Sequence, residues 1–520
     1  MSTMVAALVR AGTHFGARDA MLEEDGTRTC WREHVDRVAR LATGLRTLAG
    51  EPGSSRFAVL APNSVSQAEL IHAGYWSGTV PVPLNFRLAP PELAAMLRES
   101  EAKVLFAGAP FIAAAEQLRD AGWAGEVRTI SEEGDGSTGQ IIADSSPAEP
   151  FAARESGEAI LMFTGGTTGA GKGVPLTHQN VVSNGLQVGL ALGASPLDVM
   201  LHVAPMFHSA DLLGTAITLA GGAHSYLAQP APDTFAAAVA GRGITFTMIP
   251  PVLLRGLVHG GLLQKFVFSG LRIFISGGAP VPFDLLRRAQ EHVPNGSMVQ
   301  GYGLTETSPI LTFMHLRQAE AIAGGESDAC RSAGLPLANV ETRLIGREGS
   351  TVPEGEPGEL AVRGPNVFGG YLNRPAETAD AFHDGWFRTG DIARIDSEGF
   401  VHIIDRSKDV IITGAENVYS AEVEAVLSAH PQVSEAAVIG IPDEKWGERV
   451  AAIIVPALEG LDEEALGAFC RERIAGFKIP RQVFLVSELP KSPLGKVLKG
   501  ELRKAYATGH SSSTTSKPSN

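Results

Sequence analysis

Short apolar runs punctuate this chain, each set between helical or glycine-rich stretches. RFAVLAP (56–62), KVLFAG (103–108), AILMF (159–163), FTMIP (246–250) and LRIFISGG (271–278) are apolar at successive positions. Runs of this length and composition predict strands buried on both faces. Their alternation with amphipathic stretches predicts α/β layers built on largely parallel sheets. Two loops rich in Gly and acidic residues, SEEGDGSTGQ (131–140) and REGSTVPEGEPG (347–358), interrupt the rhythm.

After Asp405 the texture changes. A compact series follows: strand KDVIIT (408–413), helix SAEVEAVLSAH (420–430), strands EAAVIGI (435–441) and RVAAIIVP (449–456), helix LDEEALGAFCRERIAG (461–476) and strand QVFLVS (482–487). At helical spacing Val423, Val426 and Leu427 share one face, as do Leu466, Phe469, Cys470 and Ile474, and Gly476 is placed to end the second helix. The pattern predicts a large N-terminal α/β domain of layered subdomains over residues 1–405 and a small α+β domain over 410–507. Residues 508–520 include SSSTTSKPSN and predict a polar tail with no fold of its own.

Composition supports this division. A chain of 520 residues exceeds one compact core. With 44% hydrophobic and 19% charged residues it is globular in composition. Acidic residues outnumber basic ones 57 to 43, and the resulting charge of −14 repels a phosphate backbone, which argues against general nucleic-acid binding. The three cysteines, Cys30, Cys330 and Cys470, lie far apart with no CxxC spacing, so neither a zinc site nor a disulfide framework is expected. The N-terminal stretch MSTMVAALVRAGTHFGARDA lacks a signal-peptide core, and no apolar run is long enough to span a bilayer. The expectation is a cytoplasmic protein without a membrane or nucleic-acid partner.

Candidate chemistry begins at TGGTTGAGKGVPLTH (164–178). A glycine-rich run closing on a lysine suits phosphate. The motor-type loop GxxxxGK(S/T) needs a hydroxyl after the lysine and a helix starting there. Here Gly173 follows Lys172, and Pro175 disfavours helical geometry at Val174. Thr177 is the better N-cap, which puts the helix start in HQNVVSNGLQV.

Five further segments point elsewhere: YGLTE (302–306), GELAVRGPNVFGGY (358–371), WFRTGD (386–391), DRSKDVI (405–411) and PKSPLGK (490–496). With TGGTTGAGKG they resemble, in order and over nearly the whole chain, the motifs of the adenylate-forming (ANL) superfamily, in its acyl-CoA synthetase or acid–CoA ligase branch. That resemblance implies an AMP-forming acid–thiol ligase using ATP, Mg²⁺ and CoA. A carboxylate attacks the α-phosphorus of ATP and expels pyrophosphate, and a thiol then attacks the acyl-adenylate.

By resemblance, Thr164, Gly166, Thr167, Thr168 and Gly169 offer hydroxyls and N–H groups to the β- and γ-phosphates, and Lys172 adds positive charge. Tyr302 and Gly303 lie at the adenine, with Gly277, Gly278 and Ala279 as a wall that a ring can approach closely. Thr305 touches the α-phosphate, Glu306 and Thr168 hold Mg²⁺, Asp391 accepts the ribose hydroxyls and Arg406 assists. Lys496 bridges the acid's carboxylate and the α-phosphate, neutralising two anions as they meet. The small domain then turns about a hinge at 406–409, centred on Lys408, for thiol attack. Gly414, Ala415 and Glu416 line the pantetheine tunnel, Phe477 packs either CoA adenine or the core, and His208 stands between acyl pocket and thiol tunnel.

The chain departs from the family pattern at Gly165 (usually Ser or Thr), Gly171 (usually Pro), Asp405 (Gly) and Ala415 (Gly). The Gly171 change adds conformational freedom worth about 1 kcal/mol or less. No aspartate follows Phe207 to hold an ammonium, so amino-acid substrates are disfavoured. FHSADLLGTAITLAGGAHSY (207–226) and ISGGAP suit a hydrophobic acid, whether aryl, medium-chain or polycyclic. Three readings stand at this point. One is a complete ligase, acting on CoA or on a carrier protein. Another is a half-enzyme that receives its acyl-adenylate from a separate adenylating enzyme. The third is a nucleotide-binding protein without ligase activity.

Overall fold

The computed structural model describes residues 2–164, 171–279, 281–323, 327–346, 349–350, 352–353, 355–414, 416–457, 461–491 and 497–506. By contacts the chain divides into two units. One is Met1–Arg343 with Ala361–Arg388 and Asp396–His402; the other is Leu344–Leu360, Thr389–Ile395 and Ile403–Asn520.

The first unit carries a nine-stranded sheet. Its strands run in the order Leu335–Pro336, Thr312–His315, Ser297–Tyr302, Ile273–Gly277, Phe246–Ile249, Val199–His202, Ala223–Tyr226, Asp19–Leu22 and Arg28–Cys30. The six from Ser297–Tyr302 to Asp19–Leu22 are parallel, and antiparallel partners close both edges. A four-stranded sheet, Val80–Pro83, Arg56–Leu60, Val104–Gly108 and Glu126–Ile130, is parallel throughout. The expectation of α/β layers on largely parallel sheets therefore holds. Helices cover the faces, so Phe57, Phe106, Phe246 and Phe274 are fully buried.

One strand behaves differently. AILMF belongs to Glu158–Phe163, which pairs antiparallel with Gly173–Thr177 in a two-stranded hairpin rather than joining a parallel sheet. An apolar run reads the same way in either setting. The helix beyond it starts where its cap predicts. His178–Leu192 has Thr177 as N-cap, with Thr177 Oγ1 accepting the Asn180 N–H at 3.1 Å and Asn180 Oδ1 accepting the Thr177 N–H at 2.9 Å.

In the second unit Val433–Asp443 and Gly447–Pro456 form a long antiparallel pair. Ile411–Thr413, itself paired with Glu416–Val418, and Gln482–Leu485 both pair with Gly447–Pro456. Helices Ser420–Ser428 and Glu463–Arg471 bury Val423, Leu427, Leu466 and Cys470 in its core. The second helix stops at Arg471, before Gly476, which instead opens a 3₁₀ turn, Gly476–Lys478. Beyond Arg471 the Glu472 N–H still reaches the Ala468 carbonyl, and the N–H groups of Arg473 and Ile474 share the Cys470 carbonyl, a frayed helix end.

Candidate active site

The parallel strands of the nine-stranded sheet deliver two glycine-bearing segments side by side. Gly277 ends its strand in register with Gly301, and a Cβ on Gly277 would lie 2.6 Å from the Gly301 carbonyl oxygen. Only glycine allows that approach. Gly278 and Ala279 continue into exposed positions, while Tyr302, Gly303 and Thr305 follow half-buried. Carboxyl ends of parallel strands are where open α/β sheets take ligands.

Glu306 sits in the short 3₁₀ turn Thr305–Thr307 and is 8% exposed. Its carboxylate Oε1 accepts the phenol of Tyr371 at 2.9 Å, and its backbone carbonyl accepts the Phe368 N–H at 2.9 Å. Burial, then the neighbouring Glu306 charge, pushes the Tyr371 hydroxyl far above its ordinary value, so it stays a donor. The Lys172 ammonium lies 4.5 Å from the centre of the Tyr371 ring. Thr305 Oγ1 meets Ser209 Oγ at 3.1 Å.

Buried amides hold this turn in place. Asn366 Nδ2 donates to the Thr307 carbonyl at 2.9 Å, and Ser308 Oγ donates to the Asn366 carbonyl at 2.9 Å. Asn180 Nδ2 donates to the carbonyls of Pro365 and Val367, both at 2.9 Å. None of these amides was singled out from sequence. Tyr371 was visible only as the last letter of its motif, with nothing local to say that its hydroxyl faces Glu306.

At the foot of the phosphate loop, the Thr164 N–H donates to the Lys172 carbonyl at 3.0 Å and the Lys172 N–H reaches Thr164 Oγ1 at 3.4 Å. A Cβ on Gly171 would stand 2.3 Å from the Thr164 carbonyl oxygen. The departure from proline is thus a steric requirement of this closure as well as a source of freedom. Gly165, Gly166, Thr167, Thr168 and Gly169 lie outside the described residues.

His208 is half-buried beside Phe207, and the Arg87 guanidinium lies 5.8 Å from the Phe207 ring. Burial, helped by the Arg87 charge, holds its imidazole below the usual value and so neutral. Nδ1 accepts the Ala210 N–H at 3.4 Å, which leaves the proton on Nε2.

In the second unit Asp391 is buried, and the Arg406 Nε donates to its Oδ1 at 2.8 Å. Lys408 occupies the 3₁₀ turn Ser407–Asp409. Gly414 turns the Ile411–Thr413 hairpin at φ +59, and Glu416 beyond it is exposed. Phe477 packs against the unit's apolar core. The Asp405 carboxylate accepts the Ser420 hydroxyl at 2.7 Å, the Ala421 N–H at 3.3 Å and the Arg406 N–H at 2.7 Å. Ala415 and Lys496 lie outside the described residues.

Among the described residues no three His, Cys, Asp or Glu side chains gather to hold a metal ion. A single buried carboxylate such as Glu306 nevertheless fits Mg²⁺, which takes one or two carboxylates and completes its shell with substrate phosphates and water.

The family model for AMP-binding enzymes matches residues 8–372, and that for the AMP-binding enzyme C-terminal domain matches 422–496. The chain belongs to the AMP-binding enzymes, in their acid–CoA ligase branch. It is 38% identical over 489 residues to a feruloyl-CoA synthase of Amycolatopsis sp, covering 92% of this chain and 94% of that one. It is 36% identical over 479 residues to the long-chain-fatty-acid–CoA ligase FadD13 of Mycobacterium tuberculosis, covering 91% and 92%. ATP-bound MatB from Rhodopseudomonas palustris superposes with a TM-score of 0.87 at 31% identity, over 98% of this chain and 100% of that one. This AMP-binding enzyme is an AMP-forming acid–CoA ligase, adenylating its acid with ATP and then passing the acyl group to CoA. Neither the half-enzyme nor the inactive nucleotide binder is favoured.

Proposed function

We propose that this ligase activates a hydrophobic, aryl-bearing carboxylic acid, with CoA rather than a carrier protein as acceptor. The arrangement of Lys172, Tyr371 and Glu306 beside the ends of the parallel strands carries the assignment of the nucleotide site. Small and apolar residues after His208, among them the buried Ala210, Leu212 and Gly214, support a hydrophobic acid. The feruloyl-CoA synthase relative supports an aryl one.

In the first step a carboxylate oxygen of the acid bonds to the α-phosphorus and the bond to pyrophosphate breaks. Thr164 and Lys172, with Gly166, Thr167, Thr168 and Gly169, bind the outgoing phosphates. Thr305 orients the α-phosphate. Glu306 and Thr168 are the residues that would hold Mg²⁺, whose charge offsets that of the triphosphate. Gly277, Gly278, Ala279, Tyr302 and Gly303 receive adenine. Asp391, oriented by Arg406, takes the ribose hydroxyls, and Lys496 neutralises the meeting anions. In the second step the CoA sulfur bonds to the acyl carbon and AMP leaves. Lys408 is the pivot of the exchange, and Gly414, Ala415 and Glu416 guide the pantetheine arm. The neutral His208, its proton on Nε2, donates a hydrogen bond to the acyl oxygen. Phe477 serves the core. We place the reaction in the cytoplasm, where ATP and CoA are both supplied; among the described residues no helix is long and apolar enough to cross a membrane.

The test supplies a panel of aryl, medium-chain and polycyclic acids in two formats, with mass spectrometry of the acyl-CoA. One contains acid, ATP, Mg²⁺ and CoA; the other contains synthetic acyl-AMP and CoA. Product from aryl acids in both formats is the expected result. Product from acyl-AMP alone would leave only the half-enzyme, and turnover restricted to non-aryl acids would sink the aryl assignment.

A further inference from the structure

We infer that Tyr371 is a positioning residue of the adenylation half-reaction, its hydroxyl aiming the Glu306 carboxylate and its ring seating the Lys172 ammonium. The inference rests on the reading of Glu306 as the magnesium carboxylate. Glu306 has two carboxylate oxygens, and Oε1 is committed to the Tyr371 phenol at 2.9 Å. Among the described residues no donor takes Oε2, which is left for the cation in an orientation the phenol sets. Without that bond the carboxylate is free to rotate about its last side-chain torsion, and it meets the nucleotide without a fixed direction.

Tyr371 is itself held from several sides. Its backbone N–H donates to Thr378 Oγ1 at 2.9 Å, and Thr378 Oγ1 donates in turn to the Arg374 carbonyl at 2.8 Å. The next residue, Leu372, donates its N–H to the Gly173 carbonyl at 2.9 Å, joining the segment to the hairpin that carries the phosphate loop. Phe368 packs edge-on against the Tyr371 ring at 4.9 Å, and its own N–H is bonded to the Glu306 carbonyl. The ring is therefore fastened at once to the loop bearing Lys172 and to the turn bearing Glu306. Lys172 above its face and Glu306 at its hydroxyl are two charges, one for the triphosphate and one for its metal, set by a single side chain.

The two contacts are separable. Tyr371→Phe removes the hydroxyl and keeps the ring, while Tyr371→Leu removes both. Calorimetric titration of ATP across a range of Mg²⁺ concentrations reads the metal's coupling to nucleotide binding without any turnover. Tyr371→Phe should raise the Mg²⁺ concentration at half-effect about tenfold, the usual scale for loss of a ligand's outer partner. It should leave the rate of acyl-CoA formation from acyl-AMP and CoA unchanged. Tyr371→Leu should add a further loss of ATP affinity at saturating Mg²⁺. An unchanged Mg²⁺ midpoint in Tyr371→Phe would overturn the inference. So would equal loss of both half-reactions, since only a general packing role would then remain. Glu306→Gln separates this from the underlying reading. If Glu306→Gln leaves the midpoint where it was, Glu306 is not the metal carboxylate and both ideas fall. If it moves the midpoint and Tyr371→Phe does not, only the role of Tyr371 falls.

Discussion

Asp405 stands where the family pattern has glycine, immediately before Arg406. The structure gives it work. One carboxylate oxygen takes the Ser420 hydroxyl and the Ala421 N–H at the start of the helix Ser420–Ser428, and the other takes the Arg406 N–H. A carboxylate at a helix N-terminus satisfies N–H groups that have no partner within the helix and complements its dipole. Lys499 braces the same point, donating to Ser420 Oγ at 2.7 Å and pairing with Glu424 at 2.7 Å. Restoring the family glycine with Asp405→Gly should therefore destabilise this helix by about 1–3 kcal/mol, the cost of unpairing buried donors. Hydrogen exchange at the amides of Ser420–Ser428 is the measurement, with exchange faster by roughly five- to 150-fold expected. Exchange at the wild-type rate would mean that the carboxylate is dispensable. Residue identity alone could flag position 405 as unusual, but its partners in the helix, Ser420 and Ala421, lie fifteen and sixteen residues along the chain.

Elements were legible where their signal is local. The helix His178–Leu192 begins at Thr177 because the cap is written into four consecutive positions, Thr177 to Asn180. The buried strands were legible from their apolar runs, and so was the alternation that produces parallel sheets. The hairpin was not, because AILMF carries no mark of whether its neighbour comes from a crossover or from the next turn. Asn180 shows the same limit more sharply. Its local role, accepting the Thr177 N–H, follows from the capping pattern, whereas its two bonds to Pro365 and Val367 join segments far apart in sequence. The two roles predict different costs. Thr177→Ala loses one cap and should cost about 1 kcal/mol. Asn180→Ala loses the reciprocal cap and leaves two carbonyls without their donor, and should cost roughly 2–3 kcal/mol. It should also weaken ATP binding, because the segment 365–371 supports Glu306 through Phe368 and Tyr371. Urea denaturation and ATP titration of the two variants check the order; equal costs would mean that the long-range bonds contribute nothing.

On the scale of the whole molecule, the least legible feature is a layer of buried histidines drawn from separate parts of the chain. His34 and His72 share a hydrogen bond of 2.8 Å, and His202 and His224 share one of 2.9 Å. The second pair can be satisfied completely with both rings neutral. Asp211 accepts the His202 Nδ1–H at 2.6 Å, His202 Nε2 accepts the His224 Nδ1–H, and His224 Nε2 accepts the Thr218 hydroxyl at 3.1 Å. A proton added to His224 would break its bond from Thr218 and place a charge beside Trp31, so burial pushes its pKa well down. Burial likewise brings His72 and His178 from 6.5 down to about 4. Well above pH 6.5, His72, His178 and His224 are neutral in the folded and the unfolded chain alike and have little effect on stability. Below it the unfolded chain binds protons that the folded interior refuses. Stability then falls by about 1.4 kcal/mol per pH unit for each ring, until the folded rings protonate near pH 4. Each ring with a fall of that size costs roughly 3 kcal/mol in total. Glu69 works in the opposite direction, because burial raises its carboxyl despite the Arg37 partner, so the net slope should be less steep than the sum over the histidines. Urea midpoints should be level from pH 8 to 7 and drop progressively from about 6.5 to 4. His72→Gln should flatten that drop by one ring's share while leaving the plateau lower by its packing cost. A stability curve without a break near pH 6.5 would mean that the layer admits protons freely, and the buried histidines would then have to be reached by water.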